Sequence, residues 1–171
     1  YANVGNYMQA LIAFKNAYEK DTSDHEIIYQ IAVCYKQLEM YEDSRFYLEL
    51  FIKEYPNDYI AHFLMGELYL FDSNFSSSKI YFKKALSMNP NDYTSLYYLG
   101  ICDFENKEYI DAAKHFKKSI KINPEHAPSY YHLALVYDIL GKTREVKKQM
   151  NIIYMLDQAL HDDLKIKLEQ N

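Results

Sequence analysis

Six histidines, two cysteines and four glycines are the residues of this 171-residue chain that could build a metal site, a nucleophile or a phosphate loop. Their spacing builds none of these. A helical zinc site needs two imidazoles one turn apart with a carboxylate between them, and no His-Glu-x-x-His segment occurs. No cysteine pair has metal-ligand spacing. Gly5, Gly66, Gly100 and Gly141 are too scattered to expose the successive backbone N–H groups that cradle a phosphate. No nucleophile, base and orienting group can be assembled into one set. The sequence therefore predicts a chain without catalysis, cofactor or metal.

A net charge of −5 argues against a nucleic-acid backbone as the main partner. No apolar run of about 18 residues exists to span a membrane. The chain begins at Tyr1 rather than Met, so it reads as a fragment or a processed form. Only four Gly and four Pro interrupt it, which favours long helices over a turn-rich β fold. Nineteen Tyr, nine Phe and no Trp suit thin, two-layered packing, because a Tyr buries its ring and keeps its hydroxyl wet.

The prolines reveal the organisation. Pro56, Pro90 and Pro124 are separated by 34 residues each. With those prolines at position 32 of a 34-residue repeat, other positions fall into columns. Position 8 reads Ala32, Gly66, Gly100 and Ala134. Position 17 reads Tyr7, Tyr41, Phe75, Tyr109 and Thr143. Position 24 reads Phe14, Leu48, Phe82, Phe116 and Met150. Small residues at positions 8 and 20 let two antiparallel helices approach closely, and large ones at 7, 11, 17 and 24 fill the space around that contact. Pro at 32 ends the second helix. Each repeat is thus a pair, helix A then helix B. Asp58 and Asp92 are good caps for the next helix A, and Pro128 suits a first helical turn. His62, at position 4, falls in a packing column with Ile28, Leu96 and Tyr130. Cys34 and Cys102 share position 10 two repeats apart. At about 8–10 Å per helix contact that lies beyond the ~7 Å a disulfide tolerates, so both thiols are expected to be free and buried. That fits a reducing compartment such as the cytoplasm.

This pattern resembles the tetratricopeptide-repeat (TPR) family. It is carried by Leu99-Gly100, Asp103, Tyr109, Ala112, Phe116 and Pro124 in one repeat, and by Met65-Gly66, Tyr69, Phe75, Ser78, Phe82, Ala85 and Pro90 in another. The expected fold is an all-α, right-handed superhelical solenoid of antiparallel helix pairs. The repeats run over 1–24 (partial), 25–58, 59–92, 93–126 and 127–158, as one solenoid. Departures from the family pattern are Asp103 for an aromatic at position 11, Phe51 and Ile153 for Ala at position 27, and Thr22 and Gln158 for Pro. Gly5 and Gly141 fall at position 15, the turn between helices A and B. Residues 159–171 carry Leu160, Leu164 and Leu168 on one helical face and read as a capping helix, or else as a docking or self-association helix.

The resemblance implies that a partner binds on the concave face lined by helix A. Position 5 there reads Tyr29, Phe63, Tyr97 and Tyr131, an aromatic in every complete repeat. With Leu64, Glu67, Tyr98, Ile101, His132 and Leu135 these form the candidate site, an apolar and aromatic groove suited to a peptide or partner protein with apolar and basic residues. In the alternative, the position-5 rings pack on neighbouring helices. The Lys, Arg and Asn that clamp a carboxylate tail in some family members are missing, since those positions hold Glu26, Tyr29, Gln30 and Val33, then Ile60, Phe63, Leu64 and Glu67. The asparagine ladder of other members is missing at position 6. The expected function is a non-catalytic interaction scaffold. A structural or self-assembling module, or the targeting domain of a longer multidomain protein, are its alternatives.

Overall fold

The computed structural model describes residues 2–22 and 24–170, with side chains from residue 5 onward. Tyr1, placed by the repeat register at position 11, lies outside the described residues, as do Ser23 and Asn171. Ten α-helices are described: α1 Ala2–Lys20, α2 His25–Gln37, α3 Tyr41–Glu54, α4 Tyr59–Phe71, α5 Phe75–Met88, α6 Tyr93–Glu105, α7 Tyr109–Ile122, α8 Ala127–Ile139, α9 Thr143–Leu156 and α10 Gln158–Glu169. They fall into two compact units, Tyr1–Met88 and Asn89–Asn171. No helix among the described residues is long and apolar enough to cross a membrane.

Local chemistry sets the helix boundaries. Asp58 accepts the Ala61 N–H at 2.8 Å, Asp92 accepts those of Thr94 and Ser95, and Asp157 accepts that of Leu160 at 3.0 Å. His126 precedes α8 without capping it; its ring meets the Ser129 hydroxyl instead, 2.8 Å away. Every A helix ends in the same way. Position 15 adopts a left-handed backbone at Glu39, Ser73, Lys107 and Gly141, with φ of 61, 55, 63 and 68°. The position-16 N–H reaches the position-11 carbonyl in each repeat, from Met40 to Tyr35, Asn74 to Tyr69, Glu108 to Asp103 and Lys142 to Tyr137, at 2.8–2.9 Å. The position-15 N–H bonds the position-12 carbonyl, which completes a Schellman motif. Gly5 is the exception. Its position predicts a turn, yet it lies inside α1.

Within a pair, position 8 faces position 24. A Cβ added to Gly66 would meet the Phe82 ring at 2.7 Å, and one added to Gly100 would meet the Phe116 ring at 2.6 Å. Both rings are fully buried and have little room to yield. Where position 8 is Ala (Ala32, Ala134), position 24 is the slimmer Leu48 or Met150. Position 20 adds a bond in the N-terminal unit: the Ser44 and Ser78 hydroxyls each donate at 2.8 Å to the position-8 carbonyls, of Ala32 and Gly66.

Position 11 faces position 23. Tyr35 stacks on Tyr47 at 5.5 Å and Tyr69 on Tyr81 at 5.4 Å. In the next repeat Asp103 replaces the tyrosine, and His115 stands where the second ring would be, its Nδ1 2.6 Å from Asp103 Oδ2. Asp103 is fully buried. The departure seen in the sequence is therefore one half of a coordinated change. Phe51 and Ile153, the large residues at position 27, are likewise buried.

Candidate functional site

The A helices α2 and α4 place Tyr29, Phe63, Leu64 and Glu67 in the N-terminal unit. None of the four is freely exposed. The Tyr29 ring lies 5.2 Å from Phe51, and Phe63 meets Phe82 edge-on at 5.6 Å. These rings turn back onto the B helix of their own repeat. Burial, ahead of the Asp58 and Glu26 charges, raises the Tyr29 phenol. Glu67 forms an ion pair with Lys36, one helix A to the next, so its charge is balanced within the protein. The exposed apolar side chains of this A-helix face are Phe71 at position 13 and Ile60 at position 2.

In the C-terminal unit, Tyr97 packs against Phe116, Tyr98, His126 and His132, and burial pushes its phenol up to about 12. Tyr98 and Ile101 stay half-buried beside it. His132, the polar residue of the predicted groove, is packed among rings. It stacks on Phe116 at 5.6 Å, meets Tyr97 and Tyr131 edge-on, and its Nδ1–H donates to the Pro128 carbonyl at 3.0 Å. His62, in the other unit, is buried as its register predicted and donates through Nε2–H to the Pro56 carbonyl at 2.9 Å.

The surroundings of His132 have a measurable consequence. Burial, ahead of the Lys167 and His126 charges, pushes its imidazole down from 6.5 to about 4. Above pH 6.5 both folded and unfolded chains hold it neutral. Between pH 6.5 and 4 the unfolded chain takes up the proton first, so stability falls as pH falls through that window. The loss approaches about 3 kcal/mol, at roughly 1.4 kcal/mol per pKa unit. Urea unfolding at pH 7 and 5.5 should show this slope, and His132→Phe should remove most of it. An unchanged slope in the variant would contradict this assignment.

Two of the predicted contacts on α8 are covered by the protein itself. Tyr131 and Leu135 are buried under α10, in one cluster with Ile153 and Leu164. The Tyr131 hydroxyl donates to Asp163 Oδ2 at 2.6 Å. Burial and the Asp163 carboxylate together push its phenol up to about 12. The leucine stripe of the predicted cap thus closes over the A-helix face of α8 as well as over α9, and Leu168 reaches the packing around Phe104. Helical spacing alone does not tell which face such a stripe covers.

Beyond α10 a cleft of about 590 Å³ stays open. Phe104, Leu135, Ile139 and Leu168 form its apolar walls, with Asp138 and Lys167 beside them. Phe104, Leu135, Asp138 and Ile139 occupy A-helix positions 12, 9, 12 and 13. Of these, only Leu135 belongs to the groove expected from the repeat register. Both cysteines are free and buried, and burial raises the Cys34 thiol. Among the described residues no group of three or more His, Cys, Asp or Glu could hold a metal ion.

A family model described as "Tetratricopeptide repeat" matches residues 26–58, and one described as "Anaphase-promoting complex, cyclosome, subunit 3" matches residues 72–150. No curated protein matches the chain. Among solved structures, a crystal structure of MamA superposes with a TM-score of 0.84 at 19% identity, covering 95% of this chain and 92% of that one. MamA 41-end from Desulfovibrio magneticus RS-1 gives 0.84 at 17% identity, covering 91% and 88%. YrrB, described as a TPR protein with an unusual peptide-binding site, gives 0.80 at 19% identity, covering 96% and 86%.

Proposed function

The chain belongs to the tetratricopeptide-repeat family, whose members generally serve as protein–protein interaction modules, and from that premise we propose that it is a non-catalytic scaffold binding a short apolar segment of a partner protein on its A-helix face. The cleft between Phe104, Leu135, Ile139 and Leu168 carries the reading. It is concave, with four apolar side chains and two charged ones, Asp138 and Lys167, a mixture of apolar wall and orienting polar groups that suits recognition. Ile139 is 48% exposed and is free to be covered by a ligand. Asp138 offers a carboxylate to a basic ligand residue, a role for which Glu67 is already paired. Tyr97, Tyr98 and Ile101 flank Phe104 along α6, while Tyr131 and Leu135 support the cleft from beneath α10. The aromatic ladder at position 5 acts here as a rigid backing rather than as the contact surface.

Peptides selected from a random display library on the native chain test this. They should be rich in large apolar residues. Ile139→Asp should weaken them at least tenfold, about 1.4 kcal/mol, with little change in folding because the side chain is half exposed. Undiminished binding by the folded Ile139→Asp chain would place the site elsewhere.

A further inference from the structure

The C-terminal unit has a second concavity, on α7, α9 and the turn before α9. The ammonium nitrogens of Lys117 and Lys142 both stand over the Tyr137 ring, 5.5 and 5.8 Å from its centroid. With Arg144 they line a cavity of about 730 Å³. Through Lys117, Tyr137 and Glu145 it continues into a groove of about 380 Å³, walled by Ile120 and Ile152 and edged by Lys148. Two ammonium groups gathered at one ring repel each other. Glu145 is the one carboxylate in either lining. Among the described residues, none of Lys117, Lys142, Arg144 and Lys148 forms an ion pair. A basic rim over an apolar wall fits a surface that presents an apolar side chain between carboxylates.

The chain carries such a surface itself. In the N-terminal unit, α3 presents Glu42 and Asp43 one turn before Phe46 and Glu49 one turn after it, all on one side. Phe46 is 57% exposed. At the same repeat position, 22, Ile12 and Ile80 are 54% and 56% exposed on α1 and α5. This gives the N-terminal unit a row of exposed apolar side chains, in which Phe46 also meets Tyr47 edge-on at 5.3 Å. The C-terminal unit has Lys114 and Lys148 at that position instead.

We infer that the chain associates with copies of itself head to tail, with the acid-flanked Phe46 row of one copy seated on the lysine-rimmed α7–α9 groove of the next. The two faces differ, so the contact is heterologous. Each added copy leaves one face of each kind open, and assembly continues until a ring closes.

Sedimentation of the whole chain over a range of concentrations, at low and high salt, tests this. At low salt the average mass should rise with concentration, and salt should return it towards the monomer by screening the charges. Lys117→Glu/Lys142→Glu should weaken association at least tenfold, as should Glu42→Lys/Asp43→Lys, and Phe46→Ser should do the same without changing charge. All these positions are on the surface, and circular dichroism checks that each variant is folded. The chain with all four reversals has the native net charge and should associate again. A monomer at every concentration in low salt would overturn the inference. So would an association that the reversals leave intact, or a folded four-reversal chain that stays monomeric.

Discussion

His115→Ala should destabilise the folded chain by about 3 kcal/mol, and the double variant Asp103→Tyr/His115→Tyr should lie near the native stability. The single change removes the imidazole that lies 2.6 Å from the carboxylate of a fully buried Asp103. Stripping one partner from a buried pair leaves a charge in a low-dielectric interior, which costs about 3–5 kcal/mol. The lower end applies because the His115 side chain is itself 21% exposed, and water reaches part of the pair. The double variant installs the arrangement that the chain already uses twice, in Tyr35 over Tyr47 and Tyr69 over Tyr81. Replacing a buried carboxylate and its hydrogen-bonded partner by well-packed rings is commonly neutral or favourable. Chemical denaturation of the three proteins reads both effects. If the double variant is as unstable as His115→Ala, the two positions are not a unit.

Phe116→Ala should cost about 3–5 kcal/mol, because it opens a cavity where a fully buried ring had been. Gly100→Ala acts on the same contact from the other side. Its new Cβ would lie 2.6 Å from a Phe116 ring atom, so the ring or the helix must move, at about 1–3 kcal/mol. Combined, Gly100→Ala/Phe116→Leu reproduces the Ala32 and Leu48 pairing of an earlier repeat. It should recover to within about 1.5 kcal/mol of native, far above the sum of the separate losses. Strict additivity of the changes would show that the glycine and the ring are not matched.

Both predictions rest on pairs of columns, which bears on what could be read from the sequence. The 34-residue register, the proline stops and the Asp caps were legible because each is a local rule repeated at fixed spacing. The left-handed backbone at position 15 was signalled only by Gly141, since Glu39, Ser73 and Lys107 give no hint of it. The Asp103 departure was visible as an oddity. Reading column 11 together with column 23 would have shown that His115 answers it, and column 8 with column 24 would have shown Gly answering Phe. The candidate site was less legible. Position 5 is aromatic throughout, but composition cannot say whether a ring points out or back, and Tyr29, Phe63 and Tyr97 turn onto their own B helices. The Leu160, Leu164 and Leu168 stripe announces burial without naming the surface it buries. That surface proved to include Tyr131 and Leu135, which moves the open cleft one turn along, to Phe104 and Ile139.

The most direct measurement is a map of amide chemical shifts for the isotope-labelled chain, titrated with a display-selected apolar peptide. The perturbed amides should centre on Phe104, Leu135, Asp138 and Ile139, with Leu168 of α10 among them, and Ile139→Asp should abolish the shifts. Shifts centred on the outer B-helix faces, or an unperturbed α6 and α8 under saturating peptide, would contradict this.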